Sequence, residues 1–73
     1  GHADAQTNLG IMYAKGDGVR QNYIRAHMWF SLAAALGDVE GSRNLAVVKE
    51  QMTAAQVAEA QALAAKWWEE YSN

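Results

Sequence analysis

An internal repeat constrains the fold of this chain more than any other feature of its sequence. Residues 37–48 repeat the pattern of residues 1–12. A period of this size indicates stacked supersecondary units, because a single unit cannot bury its own apolar face and the next copy covers it. The matched pairs are Gly1 with Gly37, Ala5 with Gly41, Asn8 with Asn44, Leu9 with Leu45, Gly10 with Ala46, Ile11 with Val47 and Met12 with Val48.

The repeated units are predicted to be helical. Proline is absent, and apolar residues recur at helical spacing between glycine-containing turns. The pattern predicts four helices, over residues 4–14, 23–36, 39–51 and 54–71. The end signals agree with these limits, since side-chain oxygens cap helix starts and glycine ends helices in the left-handed conformation. These signals are Asn22, Asp38 and the capping-box pair Thr53 and Gln56 at helix starts, and Gly16 and Gly37 at helix ends.

Each predicted helix has an apolar stripe that is expected to form the core. Trp29 and Phe30 lie in such a stripe, so we interpret them as core residues rather than as an aromatic ligand site. The stripes contain Ala5, Leu9, Met12 and Tyr13 in the first helix, Ala26, Trp29, Phe30, Ala33 and Ala34 in the second, Leu45, Val48 and Met52 in the third, and Val57, Ala60, Ala64, Trp67, Trp68 and Tyr71 in the fourth.

Composition limits the classes of function. The 73 residues allow one domain, residues 1–73, and contain no cysteine for disulfides. The net charge is −2 and the basic residues form no cluster, which argues against nucleic-acid binding. No apolar stretch is long enough to span a membrane, so a soluble segment is expected, in the cytoplasm, the periplasm or outside the cell. The start at Gly1 suggests a segment of a longer protein.

Two stretches carry a family resemblance. GHADAQTNLGIMYAKGDGV and RAHMWFSLAAALGD resemble the Sel-one-like repeat, a relative of the tetratricopeptide repeat, over residues 1–36. Residues 37–73 keep the first half of the pattern, lose the glycine loop and continue into a long helix, which resembles a terminal capping repeat. The resemblance implies an all-α fold, an α/α solenoid of two stacked helical hairpins, and an adaptor role at the C-terminal end of a longer bacterial protein.

A strip of residues on the first helix of each copy is the predicted binding surface. Ile11 and Val47 are repeat-equivalent and lie away from the leucine stripes, and Thr7 and Arg43 accompany them. In solenoids the first helices line the concave face, where another protein or peptide binds. The alternative is that the apolar face is wide because neighbouring repeats flank it on two sides.

The adjacent residues Trp67 and Trp68 point about 100° apart on a helix, so one packs inward and the other lies near the rim. A partly exposed tryptophan is a favoured interface anchor, and Trp68 is the candidate. The alternative is that the ring only covers the end of the repeat, or that this helix mediates self-association.

No pattern in the chain indicates catalysis, a cofactor or a metal. Ser31, Ser42 and Ser72 have no flanking nucleophile motif. Asp17 in the GDG segment is not followed by the spaced carboxylates of a calcium loop, so a turn is predicted there. His27 is interpreted as a packed or rim residue. A binding scaffold is therefore predicted, with a purely structural segment or an accessory segment of a larger enzyme as alternatives.

Overall fold

The structure is a computed structural model that describes residues 2–71, and these residues form helices and turns without a β-strand. The repeat-equivalent Gly1 and the predicted non-catalytic Ser72 lie outside the described residues. The helices are α1 (His2–Lys15), α2 (Tyr23–Ala35), α3 (Val39–Lys49) and α4 (Ala54–Tyr71). The all-α prediction is confirmed, with helix limits within two residues of those expected from the sequence.

The predicted helix caps are present. The Asn22 side chain accepts a hydrogen bond of 3.1 Å from the backbone N–H of Arg25 at the start of α2. At the start of α4, the Thr53 N–H donates to Gln56 Oε1 over 2.9 Å and the Gln56 N–H donates to Thr53 Oγ1 over 3.1 Å. This reciprocal pair is a capping box, which satisfies backbone groups that the helix leaves without partners.

Gly37 ends α2 in the left-handed conformation, with φ +88°. Its N–H donates to the carbonyl oxygen of Ala34, and the Asp38 N–H donates to that of Ala33. These two bonds form a Schellman motif, which turns the chain sharply out of the helix. Gly16 ends α1 in the same conformation, with φ +76°, as predicted.

Replacing Thr53 with alanine is expected to lower the free energy of unfolding by about 1 kcal/mol, because the capping oxygen is lost. Urea denaturation followed by circular dichroism measures the change. Thr53 is exposed, so packing contributes little, and substitution with serine, which keeps the oxygen, is the matched control. An equal loss of stability in both variants would contradict the capping role.

Helix α2 is the centre of the molecule. It packs on α1, on α3 and on α4. Helices α3 and α4 are joined by a short turn, but α4 packs mainly on α2 rather than on α3. Helix α1 also contacts α3 directly. The first helices of the two repeat copies therefore lie side by side, with the second helix of the first copy behind them.

The core consists of two clusters on different faces of α2. The first contains Ala26 and Phe30 of α2 with Val48 of α3, and partly buried residues of α1 and α3 pack around it. The second contains Met28 and Leu32 of α2 with Ala64 of α4. One cluster joins the two first helices to α2 and the other attaches α4.

Two glycines allow the helices to approach closely. A Cβ atom on Gly10 would lie 2.4 Å from the Phe30 ring, and one on Gly41 would lie 2.8 Å from the Ala33 Cβ. Atoms at these distances overlap, so α1 and α3 keep their positions against α2 only with glycine at these sites.

The buried face of α1 differs from the predicted stripe. Its buried residues are Gln6, Thr7 and Gly10, whereas the predicted core residues Ala5 and Met12 are exposed. The Phe30 ring occupies the space beside Gly10, so the face of α1 that carries Gly10 lies against α2 and the side chains of Ala5 and Met12 remain outside the contact. Leu9 and Tyr13 remain partly buried.

Candidate partner-binding groove

An apolar groove of about 340 Å³ lies between α1 and α3, with α2 beneath it. This volume is at the lower end of the range for ligand sites, and the groove is open to solvent, which suits an interaction surface. The lining residues are Ile11, Ala14 and Lys15 of α1, Tyr23 and Phe30 of α2, Asn44, Val47 and Val48 of α3, and Gln51 in the turn that follows.

The groove has a rigid base and exposed walls. Phe30 is 2% exposed and Val48 is buried with it in the first core cluster, so their positions are set by packing. Ile11 is partly buried against the same cluster, whereas Val47 is 63% exposed. An exposed aliphatic side chain beside a well-packed aromatic base is a surface that gains from being covered.

Polar side chains lie at the edge of the groove. Asn44, Val47, Val48 and Gln51 follow one another at the i, i+3, i+4 and i+7 positions of a helical face, and the Gln51 N–H continues the last turn of α3 by donating to the Val48 carbonyl. Lys15 is the only charged residue among those that line the groove. The rim therefore combines two amides with one positive charge.

The structure brings two of the predicted binding residues together. Ile11 and Val47 both line the groove, so repeat equivalence located a shared surface. Arg43 is exposed on α3, one turn before Val47, and is not among the lining residues. Partner binding by these residues remains a prediction.

Thr7 requires a correction, because it lies inside the molecule. It is 3% exposed, and its hydroxyl donates a hydrogen bond of 2.5 Å to Asp38 Oδ2, which also accepts from the Gly41 N–H over 2.8 Å. The side chain thus connects α1 to the N-terminus of α3 and offers almost no surface to a partner. These two donors, the hydroxyl first and the N–H second, hold the pKa of Asp38 below its ordinary value.

The aromatic residues of α4 form a separate surface at the other end of the molecule. Trp67 is the inward tryptophan: it packs on the second core cluster, and its ring centroid lies 5.8 Å from that of Trp29. Trp68 is 43% exposed. A shallow cleft of about 240 Å³ here is lined by His2, Gln6, Leu36, Trp67, Trp68 and Tyr71.

His27 is a packed residue, as interpreted from the sequence. It is 3% exposed, and its Nδ1 lies 3.3 Å from the Ser31 hydroxyl. Burial lowers the pKa of His27, and the positive charge of Lys49 lowers it further. Both effects favour the neutral form of the side chain in the folded protein.

This environment predicts a pH dependence of stability. Below about pH 6.5 the His27 side chain binds a proton in the unfolded chain more readily than in the folded one. The free energy of unfolding should therefore decrease as the pH falls from that value toward the lower pKa of folded His27. Urea midpoints at pH 7.5 and 5.5 measure the fall. It should shrink in His27→Gln and persist in the control His2→Gln, and equal slopes in the two variants would contradict this origin.

The rim residues were not among the predicted binding residues. In the sequence Asn44 is a repeat match of Asn8, and Lys15 and Gln51 lie outside the predicted strip. A signal was available, because Lys15 and Gln51 are themselves repeat-equivalent and follow Ile11 and Val47 by four residues. Polar residues at such spacing are common on solvated helix faces, which is why the pattern alone carries no assignment.

Within residues 2–71 no group of acidic, histidine or cysteine side chains could hold a metal ion. A polar cleft is lined by Asp4, Asp38 and Glu40, but these carboxylates are not arranged as a metal site. Over the same residues, no helix combines the length and hydropathy required to cross a membrane.

The fold and the groove define a class: a helical repeat module that exposes an apolar surface between adjacent first helices. Residues 3–38 match the family model described as Sel1 repeat, so this part of the chain is a Sel1-like repeat. This confirms the resemblance found in the sequence. Sel1 repeats are generally non-catalytic protein–protein interaction modules. No curated protein and no solved structure matches the chain.

Proposed function

We propose that this protein is an interaction scaffold that holds another protein in the groove between α1 and α3. The observation that carries the proposal is that repeat-equivalent Ile11 and Val47 form opposite walls of one apolar groove. Val47 gains little from folding because most of its surface stays exposed, and covering it by a partner removes that apolar surface from water. No catalytic, cofactor or metal residue is assigned.

The second copy is proposed to cap the repeat array, as one would find at the C-terminal end of a longer bacterial repeat protein. Helix α4 has 18 residues where α2 has 13, and it packs on α2 along the second core cluster. In this proposal residues 1–36 are the repeat, residues 37–73 are the modified copy, and the whole chain is one domain.

A photo-crosslinking amino acid placed at Val47 tests the proposed function. In extracts of the source cells it should crosslink to a defined partner, identified by mass spectrometry, whereas the same probe at Val39 should not. The two positions are closely matched, since both are valines of α3 with exposures of 63% and 64%, but only Val47 lines the groove. Identical crosslinks from both positions, or none from Val47, would contradict the proposal.

Self-association is a second candidate, favoured by the aromatic surface at the end of α4. Trp68 and Tyr71 are 43% and 66% exposed beside the exposed Leu36, and aromatic residues of this kind anchor interfaces. Sedimentation equilibrium of the chain should then show a dimer that Trp68→Ala dissociates. A monomer at all concentrations would exclude this candidate and leave the groove proposal intact.

A further inference from the structure

We infer that the groove between α1 and α3 takes an extended peptide segment with one apolar anchor residue and a neighbouring carboxylate. This inference rests on the proposed function and specifies the chemistry of the partner. Three properties of the groove lead to it: an apolar base, two side-chain amides on one wall that have no hydrogen-bond partner among residues 2–71, and one positive charge that has no ion pair among the same residues.

The base and walls select an apolar anchor. Phe30 and Val48 are held in place by the first core cluster, so the base of the groove is preorganised. Ile11 and Val47 stand on either side of it. A partner side chain that enters here displaces water from the phenylalanine, valine and isoleucine side chains. The core does not have to rearrange, which keeps the free-energy cost of binding low.

The amides favour a peptide backbone in extended conformation. Asn44 and Gln51 lie one turn before Val47 and one turn after it on the same wall. Neither side-chain amide is hydrogen-bonded within the described part of the chain. Each offers both a donor and an acceptor, which matches the N–H and C=O of a peptide unit.

A helical partner does not use these groups. The backbone N–H and C=O of a helix are bonded within the helix, so Asn44 and Gln51 would face its side chains only. An extended segment presents free N–H and C=O groups along its length, and such main-chain bonds supply affinity while pockets for side chains supply specificity. The placement of two amides beside an aliphatic wall therefore points to extended binding.

The charge at the rim selects an acidic neighbour. Lys15 lines the groove, no carboxylate does, and among residues 2–71 Lys15 has no ion pair. The chain as a whole carries a net charge of −2, so a general attraction for anions is absent and the preference comes from this local site. A carboxylate beside the anchor would pair with Lys15 at the edge of the groove.

Selection from a phage-displayed library of random linear peptides, with the full chain as bait, tests the inference. Phages that bind Val47→Glu are removed first, and those retained by both the wild type and Val39→Glu are kept. The enriched peptides should share one aliphatic or aromatic residue with an Asp or Glu close to it. Circular dichroism of the bait variants verifies that each remains folded.

Synthetic versions of the enriched peptides then separate the three contributions by fluorescence anisotropy. Lys15→Glu should weaken binding about tenfold, and the control Lys66→Glu, on α4, should not. Asn44→Ala should weaken binding, and methylation of a backbone nitrogen beside the anchor should do so as well, because it removes a donor that only an extended peptide presents.

The outcomes distinguish the inference from the proposed function. Groove-dependent peptides that are helical when bound, that tolerate backbone methylation, or that ignore Lys15→Glu overturn the inference and leave the scaffold proposal standing. Failure to enrich any peptide that requires Val47 overturns the inference, whereas the proposed function is overturned only if the crosslinking probe at Val47 also captures no partner. Enriched acidic peptides that lose affinity in each of the variants establish the inference.

Discussion

Replacing Phe30 with alanine is expected to lower the free energy of unfolding by a large part of its total, so that the variant unfolds at a much lower urea concentration than the wild type. The ring is 2% exposed and belongs to the cluster that joins α1, α2 and α3. Truncation of a buried phenylalanine typically costs about 3–5 kcal/mol. A domain of this size is stable by only about 4–11 kcal/mol in total. Urea denaturation followed by circular dichroism at 222 nm measures the loss.

Tyr71→Ala provides the control for this prediction, since it removes a large aromatic side chain that is 66% exposed and should change stability far less. If the two variants had the same urea midpoint, the cluster around Phe30 would not be the main source of stability. Because Phe30 also forms the base of the groove, any fraction that remains folded should lose partner binding too.

The second large effect is expected for Gly10→Ala, where the direction of the change in stability tests the packing against Phe30. On an exposed helical site, replacing glycine with alanine stabilises by about 1 kcal/mol. At Gly10 the new Cβ would lie 2.4 Å from the Phe30 ring, and overpacking of this kind costs about 1–3 kcal/mol. Gly10→Ala should therefore destabilise the protein or at best leave it unchanged, as measured by the urea midpoint.

A double-mutant cycle identifies the cause. In a Phe30→Leu background the ring is gone, so Gly10→Ala should become neutral or stabilising, and the difference between the two backgrounds is the coupling between the sites. The repeat-equivalent Ala46 is exposed, and Ala46→Gly should cost only the helix propensity. Equal effects of Gly10→Ala in both backgrounds would show that the ring is not responsible.

The junction between the two copies explains why the repeat is imperfect at several positions. Thr7 and Asp38 hydrogen-bond across 31 positions of sequence, and Gly41 fits against Ala33 and Thr7 where a larger residue would not. Gly41 takes the place of Ala5, which is exposed in the first copy. The same repeat position thus faces solvent in the first copy and the contact between the two copies in the second. A small residue is required only in the second copy.

Local signals in the sequence were reliable where the interaction itself is local. The capping box of Thr53 and Gln56, the cap at Asn22 and the left-handed ends at Gly16 and Gly37 all involve residues within a few positions of one another. Their geometry follows from backbone hydrogen bonding at helix ends and hardly depends on the rest of the fold. Helix number and limits could therefore be predicted.

The face that α1 turns toward the core could not be predicted in the same way. Hydrophobic periodicity assigns the most apolar stripe to the interior, but the residues buried here are Gln6, Thr7 and Gly10. Glycine carries no hydrophobic signal, and the reason for burying it is the shape of Phe30, which lies 20 positions away in the chain. The same assumption put Thr7 on the binding surface, because it lies on the side of the helix away from the leucine stripe, but Thr7 is buried.

The sequence by itself determined that this protein is a pair of helical units built on one repeated pattern, because helix periodicity, end signals and repeat matches all arise from residues near one another in the chain. Only the tertiary structure decided that Ile11 and Val47 share one groove, that Lys15, Asn44 and Gln51 surround it, and that Trp67 rather than Trp68 packs inward. The physical reason is that the relative rotation of packed helices is set by close contacts between distant side chains, such as Gly10 against Phe30, whose shapes must fit simultaneously.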